Sequence, residues 1–188
     1  MTVYVSMLRG VNVGGHSRLK MTALKEAYVA IGLRDVYTLL QSGNVMFTSR
    51  AKDRHSLATR IMQEIERRFD LKIEVLIRTL DEIRMLVERG PATPRADPSK
   101  LLVMFLTHVP GAAAQSALLK EHKGPEMIEL RGPEVYLYYP NGVGRSKLTN
   151  AFLENRLDVA GTARNWNTLL KLVEVGRSLE ANDQPPRS

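Results

Sequence analysis

Cysteine is absent from the 188 residues of this chain, and its absence removes several classes of protein from consideration. Disulfide-stabilised scaffolds, thiolate metal sites and cysteine nucleophiles all require thiols, so none of them is available here. A chain without thiols also fits a reducing compartment, where disulfides do not persist. We therefore expect a protein that is stabilised by the burial of apolar side chains.

Long apolar runs are lacking as well. No stretch approaches the roughly 18 residues that are needed to span a bilayer. The N-terminal sequence MTVYVSMLRG has neither the basic segment nor the long apolar run and cleavage site of a secretory signal. Apolar residues make up 44% of the chain and charged residues 25%, as in ordinary globular proteins. These features predict a cytoplasmic protein that does not bind membranes.

Motifs of known catalytic chemistry are also missing. The four histidines, at positions 16, 55, 108 and 122, are not spaced as metal ligands, and neither His-Glu-x-x-His nor Gly-x-Ser-x-Gly occurs. We therefore predict no metal site and no cofactor. His16 and His108 lie in loops that follow predicted strands, so they are the acid–base candidates if the protein is an enzyme.

The sequence does contain one pattern of elements that occurs twice. In residues 1–90, short β-branched and aromatic runs alternate with segments of helical periodicity, in the order β-α-β-β-α-β followed by one more helix. Asp53 is placed to cap the second helix, and Thr79 with Glu82 has capping-box spacing at the start of the third. Residues 101–180 repeat this order, with GTARN as the fourth strand.

The repeated order predicts an α+β protein of two tandem ferredoxin-like (α/β-plait, βαββαβ) subdomains, each with an extra C-terminal helix. The subdomains are expected at residues 1–90 and 101–180, joined by the proline-rich linker 91–100, and residues 181–188 are expected to form a disordered tail. The first and third strands of each unit are expected as central, parallel neighbours. The loops that follow them should then emerge side by side at helix N-termini, where anions are favoured.

Glycine and basic residues are concentrated in these loops. In GVGRSK, residues 142–147, the glycines permit close approach of a ligand, the cations supply charge, and the serine can cap a helix or donate to an oxygen. The matching loops of the first half are residues 9–18 and 49–53, and an arginine in TARNWNT, residues 162–168, is a further candidate. A simple turn and helix cap would use the same residue types. The predicted anion-binding residues are Arg9, Asn12, Gly14, Gly15, Gly142, Gly144, Arg145, Ser146, Lys147 and Arg164.

The formal net charge of +7 favours anionic partners. Three functions fit: a module that binds a phosphate-bearing ligand, either a nucleotide or RNA; an enzyme that acts on a phosphorylated or nucleotide substrate; and a structural or protein-interaction module with no small-molecule ligand. RNA bases would stack on Tyr136 and Tyr138 of the open sheet face, although internal packing of these rings is the favoured interpretation. We rank ligand binding first, in a monomer or a weak homodimer.

The motifs MLRGVNVGG, LLQSGNVMFTS, GVGRSKLTN and TARNWNT occur in this order, and together they resemble the bacterial domain of unknown function 1697 family. The resemblance extends from Met1 to about Gly176. It implies a small cytoplasmic protein with two α/β-plait subdomains, and it implies no activity. The motif residues are Arg9, Gly10, Asn12, Gly14, Gly15, Ser42, Gly43, Asn44, Gly142, Gly144, Arg145, Ser146, Lys147, Arg164, Asn165, Trp166 and Asn167.

Overall fold

The computed structural model describes residues 1–11, 19–91 and 97–182, without the side chains of residues 181 and 182. The chain forms two compact units, which are residues 1–88 together with the residues from 171 onwards, and residues 89–170. In the ranges that are described, no helix is both long enough and apolar enough to cross a membrane.

The first unit carries a four-stranded antiparallel sheet, here called sheet A, with the strand order β2-β3-β1-β4. Helices α1 and α2 cover one face of this sheet, where Tyr28 and Ile61 share a core with Tyr4 and Phe47. Its elements are β1 (Thr2–Leu8), α1 (Met21–Ala30), β2 (Arg34–Leu39), β3 (Asn44–Ser49), α2 (Arg54–Phe69), β4 (Val75–Thr79) and α3 (Leu80–Arg89).

The helix caps that the sequence predicts in this unit are observed. The backbone N–H of His55 donates to Asp53 Oδ1 over 2.9 Å at the start of α2. At the start of α3, Glu82 N–H donates to Thr79 Oγ1 (3.1 Å) and Thr79 N–H donates to Glu82 Oε2 (2.8 Å). These bonds satisfy amide groups that a helix start otherwise leaves without partners, which explains why both helices begin where they do.

The second unit carries sheet B, which is also four-stranded and antiparallel, with the strand order β6-β7-β5-β8. Leu118 and Leu153, from the two helices on one face, pack against Met104, Val135 and Leu137 of the sheet. Its elements are β5 (Leu101–Leu106), α4 (Ala112–Glu121), β6 (Met127–Arg131), β7 (Glu134–Tyr138), α5 (Asn150–Leu157), β8 (Gly161–Asn165) and the beginning of α6 (Trp166–Asn182). The order of elements in each half is thus the predicted one.

The predicted linker and tail are described only in part. In the linker, residues 92–96 lie outside the described residues, and Pro98–Lys100 forms a short 3-10 turn that Asp97 caps by accepting from Ser99 N–H (2.9 Å). In the tail, α6 continues to Asn182, so residues 181 and 182 are helical, and residues 183–188 lie outside the described residues.

The predicted direction of the central strands is wrong. β1 runs antiparallel to β3, and β5 runs antiparallel to β7. The reason is the β2–β3 hairpin, which reverses the chain after the crossover helix has returned it parallel to β1. The loops that follow β1 and β3 therefore leave opposite ends of sheet A, and the same holds for β5 and β7 in sheet B. With strands of roughly six residues, those ends are about 20 Å apart.

Candidate anion site

The glycine loop, defined as Gly142–Lys147, is an ordered turn at one end of sheet B. Tyr139 follows β7 and is buried, and its hydroxyl donates to the carbonyl oxygen of Leu148 (2.9 Å). Gly142 N–H donates to the carbonyl oxygen of Tyr139 (2.9 Å), with Gly142 at a φ of 82° that favours glycine. A 3-10 turn over Val143–Arg145 follows. The chain is thus held on both sides of the loop.

The predicted position of this loop at a helix start is wrong. Helix α5 begins at Asn150, and its cap is Thr149, whose Oγ1 accepts from Phe152 N–H (3.2 Å). Ser146 therefore does not cap the helix. Arg145 and Lys147 precede the cap of α5, so they lie outside the helix itself.

Ser146 instead binds a carboxylate of its own chain. Its hydroxyl donates to Glu126 Oε1, and its Oγ accepts from Leu148 N–H (3.0 Å). The hydrogen bond from Ser146 holds the pKa of Glu126 below its ordinary value. On the other side of Glu126, His122 Nε2 donates to the Glu126 carbonyl oxygen (2.9 Å) and lies 3.7 Å from Glu126 Oε2. The glycine loop is therefore joined to the α4–β6 connection.

Three exposed cations lie on the two connections that the Ser146–Glu126 hydrogen bond joins, and they are here called the basic patch: Lys123, Arg145 and Lys147. Within the described ranges, none of the three side chains makes a hydrogen bond or an ion pair. Nearby Lys100 is different, because its Nζ donates to the carbonyl oxygen of Pro140 (2.8 Å). The basic patch thus combines Arg145 and Lys147, which the sequence predicts as anion-binding residues, with Lys123, which it does not.

Arg164 is a structural residue in this arrangement. Its side chain is buried, and its Nη1 donates to Thr162 Oγ1 (2.7 Å) and to the carbonyl oxygen of Ala163 (2.9 Å). Burial lowers the pKa of the guanidinium to about 10. Because its donors are directed to its own strand, Arg164 is not part of the basic patch.

The rest of the TARNWNT motif connects β8 to its surroundings in the second unit. Asn165 Nδ2 donates to the carbonyl oxygen of Ser99 (2.9 Å), and Asn165 Oδ1 accepts from Asn167 N–H (3.0 Å) at the start of α6. The Trp166 ring lies 6.4 Å from the Tyr136 ring, measured between centroids. These contacts give the residues of the motif a structural role that requires no ligand.

In the first unit, only Arg9 of the predicted anion site is described. The guanidinium Nη1 of Arg9 lies 3.6 Å from Glu74 Oε2, and the backbone N–H of Arg9 donates to the Glu74 carbonyl oxygen (2.9 Å). The charge of Arg9 is therefore balanced by a neighbouring carboxylate. Asn12, Gly14 and Gly15 lie outside the described residues, as does His16.

The end of β1 contacts the β2–β3 turn. Leu8 N–H donates to the carbonyl oxygen of Gly43 (2.9 Å). Gly43 has a φ of +71°, and a Cβ at this position would lie 2.8 Å from Leu8 Cβ. Asn44 Nδ2 donates to the carbonyl oxygen of Leu39 (3.2 Å) and to Ser42 Oγ (2.9 Å). The Ser-Gly-Asn motif is thus required by a tight turn beneath the end of β1.

Neither the candidate ring for RNA stacking, Tyr136, nor the described acid–base candidate, His108, lies at the basic patch. Tyr136 is buried, with the Arg131 guanidinium 4.7 Å from its ring centroid, so the ring is not open to a base. His108 is exposed and follows β5, which places it at the other end of sheet B from the glycine loop. Among the described residues, no cluster of three His, Asp or Glu side chains is arranged to hold a metal.

Sequence reasoning missed Lys123, Glu126 and His122. These residues lie in EHKGPE, a polar connection between a helix and a strand, and no local pattern marks them. Glu126 is 20 residues from its partner Ser146, so only the packing of α4 and β6 beside the glycine loop brings the two together. The serine's capacity to donate to an oxygen was predicted, but the acceptor belongs to the protein.

Comparisons with known proteins agree with the observed architecture. A family model described as "Protein of unknown function (DUF1697)" matches residues 1–136. The solved structure of the conserved bacterial protein SP0830 from Streptococcus pneumoniae is similar, with a TM-score of 0.69 and 21% sequence identity over 92% of this chain and 97% of that one. This similarity shows the fold alone, and no curated protein matches the chain significantly. Since the family model covers more than half of its length, the chain belongs to the DUF1697 family of proteins of unknown function.

Proposed function

We propose that this protein binds a phosphate-bearing polyanion, with RNA as the leading candidate, through the basic patch of its second unit. One observation carries the proposal: Lys123, Arg145 and Lys147 are exposed cations without described partners, and they lie on two connections that the Ser146–Glu126 hydrogen bond joins. The net charge of +7 strengthens the attraction of anions to the molecule as a whole.

The exposure of the patch favours a polymer over a small nucleotide. Val143, Gly144, Arg145 and Lys147 are all exposed, so a ligand bound by this loop would remain largely in water. Each single contact between exposed charges contributes only about 0.2–1 kcal/mol. A polymer that presents several phosphates can combine such contacts, whereas one mononucleotide cannot. Recognition would then be electrostatic and largely independent of base sequence.

The basic patch includes only part of the predicted anion site. Paired strand-to-helix loops do not converge, Arg9 is balanced by Glu74, and Arg164 is buried. For the enzyme alternative, the described histidine candidate lies at the opposite end of sheet B. The interaction alternative depends on Tyr136 and Tyr138, of which Tyr136 is buried beside Trp166 and Tyr138 is partly exposed. The contacts of the Ser-Gly-Asn and TARNWNT motifs are in keeping with a structural role of those motifs, and the basic patch is the feature that favours ligand binding.

The experiment compares two double variants that remove equal charge. Arg145→Ala/Lys147→Ala removes two cations of the patch, and Arg50→Ala/Lys52→Ala removes two exposed cations from a loop of the first unit. Binding of a fluorescein-labelled single-stranded RNA of 20 nucleotides is measured by anisotropy. We expect the patch variant to bind about 2- to 30-fold more weakly and the control variant to bind nearly as the unmodified protein does.

Salt dependence provides the second readout. Three phosphate contacts on a single strand predict a slope of about −2 for the logarithm of the binding constant against the logarithm of salt concentration. In the patch variant, one remaining contact predicts a slope of about −0.7. Equal weakening by both double variants, or a complex insensitive to salt, would contradict the proposal.

The finer classification of the fold is also an inference. We infer that each unit is ferredoxin-like, and the strand orders β2-β3-β1-β4 and β6-β7-β5-β8, with two helices on one face, support it. We further infer a cytoplasmic location, in keeping with a chain that has no cysteine and with RNA as ligand.

A further inference from the structure

The hydroxyl of Ser146 is already occupied by an anionic group. It donates to Glu126 Oε1, and the two residues that flank it in the chain are the cations Arg145 and Lys147. A phosphate oxygen bound between these cations would take the same hydroxyl, because hydroxyl donors and basic side chains together are the usual partners of phosphate oxygens. The carboxylate of Glu126 and an external phosphate are therefore alternative acceptors for one donor.

Glu126 is held in this position from two sides. Its side chain is 11% exposed and that of His122 is 15% exposed, so the contact is largely shielded from water. His122 donates through Nε2 to the Glu126 carbonyl oxygen (2.9 Å), while the same nitrogen lies 3.7 Å from Oε2. The pKa of Glu126 is lowered, chiefly by the Ser146 hydrogen bond, which keeps the carboxylate ionised.

Gly124 makes room for this arrangement. A Cβ at position 124 would overlap Glu126 Oε2 and would lie 2.9 Å from His122 Cε1. Gly124 has no positive φ, so its backbone is not in the left-handed region that favours glycine. Position 124 instead lies directly beside the carboxylate, and a methyl group there would force the Glu126 side chain to shift.

We propose that Glu126 is an internal competitor, whose carboxylate occupies the Ser146 hydroxyl until a phosphate group of the ligand displaces it. This inference rests on the proposed function, since it concerns regulation of the same patch. While Glu126 accepts from the Ser146 hydroxyl, the glycine loop is ordered but its affinity for anions is reduced. Displacement of Glu126 releases the hydroxyl and moves a negative charge away from Arg145 and Lys147.

Two variants remove the competitor by different means. Glu126→Gln keeps the shape of the side chain and an oxygen that can accept from Ser146, but it removes the charge. Gly124→Ala keeps the charge and displaces the carboxylate by contact. Each is expected to bind the labelled 20-nucleotide RNA about two- to fivefold more tightly than the unmodified protein. In Gly124→Ala/Ser146→Ala the gain should be smaller than in Gly124→Ala, because the phosphate then has no hydroxyl to take and only the relief of the negative charge remains.

Glu121→Gln is the matched control. Glu121 is exposed at the end of α4, and its Oε2 pairs with Arg156 Nη2 over 2.9 Å, so this substitution also removes one negative charge of the second unit without touching Ser146. A gain in Glu121→Gln equal to that in Glu126→Gln would overturn the inference, since it would be a general effect of net charge. Thermal unfolding by circular dichroism establishes that each variant is folded, and Glu126→Gln decides the question if Gly124→Ala fails to fold.

The outcomes separate this inference from the proposed function. Suppose that Glu126→Gln and Gly124→Ala bind RNA as the unmodified protein does, while Arg145→Ala/Lys147→Ala binds more weakly. RNA binding by the basic patch is then supported, and competition by Glu126 is refuted. If neither the unmodified protein nor the variants bind the RNA, the proposed function fails and the inference fails with it.

Discussion

Replacing Gly43 by alanine tests whether the Ser-Gly-Asn turn is demanded by contact with β1. Gly43 has a φ of +71°, and an added Cβ would lie 2.8 Å from Leu8 Cβ and 3.5 Å from Val11 Cβ. The left-handed backbone conformation alone costs an alanine about 1–2 kcal/mol. Forcing a methyl group against a packed neighbour adds about 1–3 kcal/mol. The free energy of unfolding of the first unit should therefore fall by about 2–5 kcal/mol.

Gly32 supplies the control within the same unit. Its φ is +81°, and a Cβ there would meet nothing within 4 Å, so Gly32→Ala experiences the backbone cost without the contact. Its expected loss is about 1–2 kcal/mol. The difference between the losses of the two variants gives the cost of the steric contact at Gly43 separately from the backbone cost.

The assay is urea unfolding followed by two signals. Far-ultraviolet circular dichroism reports on the whole chain, whereas the fluorescence of Trp166, the only tryptophan, reports on the second unit. Both substitutions should shift the circular dichroism transition and leave the fluorescence transition in place. Equal losses for Gly43→Ala and Gly32→Ala would refute the argument that the end of β1 excludes a side chain from this turn.

The remaining predictions concern a helix cap and an ion pair. Thr149→Ala should lower the free energy of unfolding of the second unit by about 1 kcal/mol, measured by Trp166 fluorescence in urea, because Thr149 caps α5; an unchanged value would mean that the cap lies elsewhere. Hydrogen bonds from Arg67 and Arg68 lower the pKa of Glu64 to about 2, so their stabilising effect is complete above the ordinary glutamate pKa of 4.5 and is lost as pH falls towards 2. The free energy of unfolding of the first unit, measured by urea unfolding, should therefore decline less between those pH values in Glu64→Gln than in the unmodified protein. An equal decline in both proteins would contradict this.

Local patterns were sufficient to predict the elements of this fold. Alternating strands, helical stripes and the caps at Asp53 and at Thr79 with Glu82 are encoded within a few residues, and each is observed. The direction of the central strands is encoded in the sequence as well, because the crossover helix and the hairpin together make the third strand antiparallel to the first. The predicted parallel direction and the convergence of loops that depends on it are therefore wrong for a topological reason.

The candidate site was predictable only in part, because its decisive contacts are long-range. Two hydroxyl residues, Ser146 and Thr149, stand before α5, and the sequence does not tell which of them caps the helix. The burial of Arg164 depends on the packing of sheet B, since nothing in TARNWNT distinguishes a buried guanidinium from an exposed one. The role of Glu126 depends on a partner 20 residues away. Arg145 and Lys147 are exposed in their glycine-rich turn, and their role in anion binding stays a prediction.

The most direct test of the central claim is a nuclear magnetic resonance titration of the isotope-labelled protein with unlabelled single-stranded RNA. The account predicts that amide shifts change at residues 122–126 and 142–148, and that these changes diminish as salt is added. Shifts concentrated in residues 50–53, or an unchanged spectrum at low salt, would contradict it.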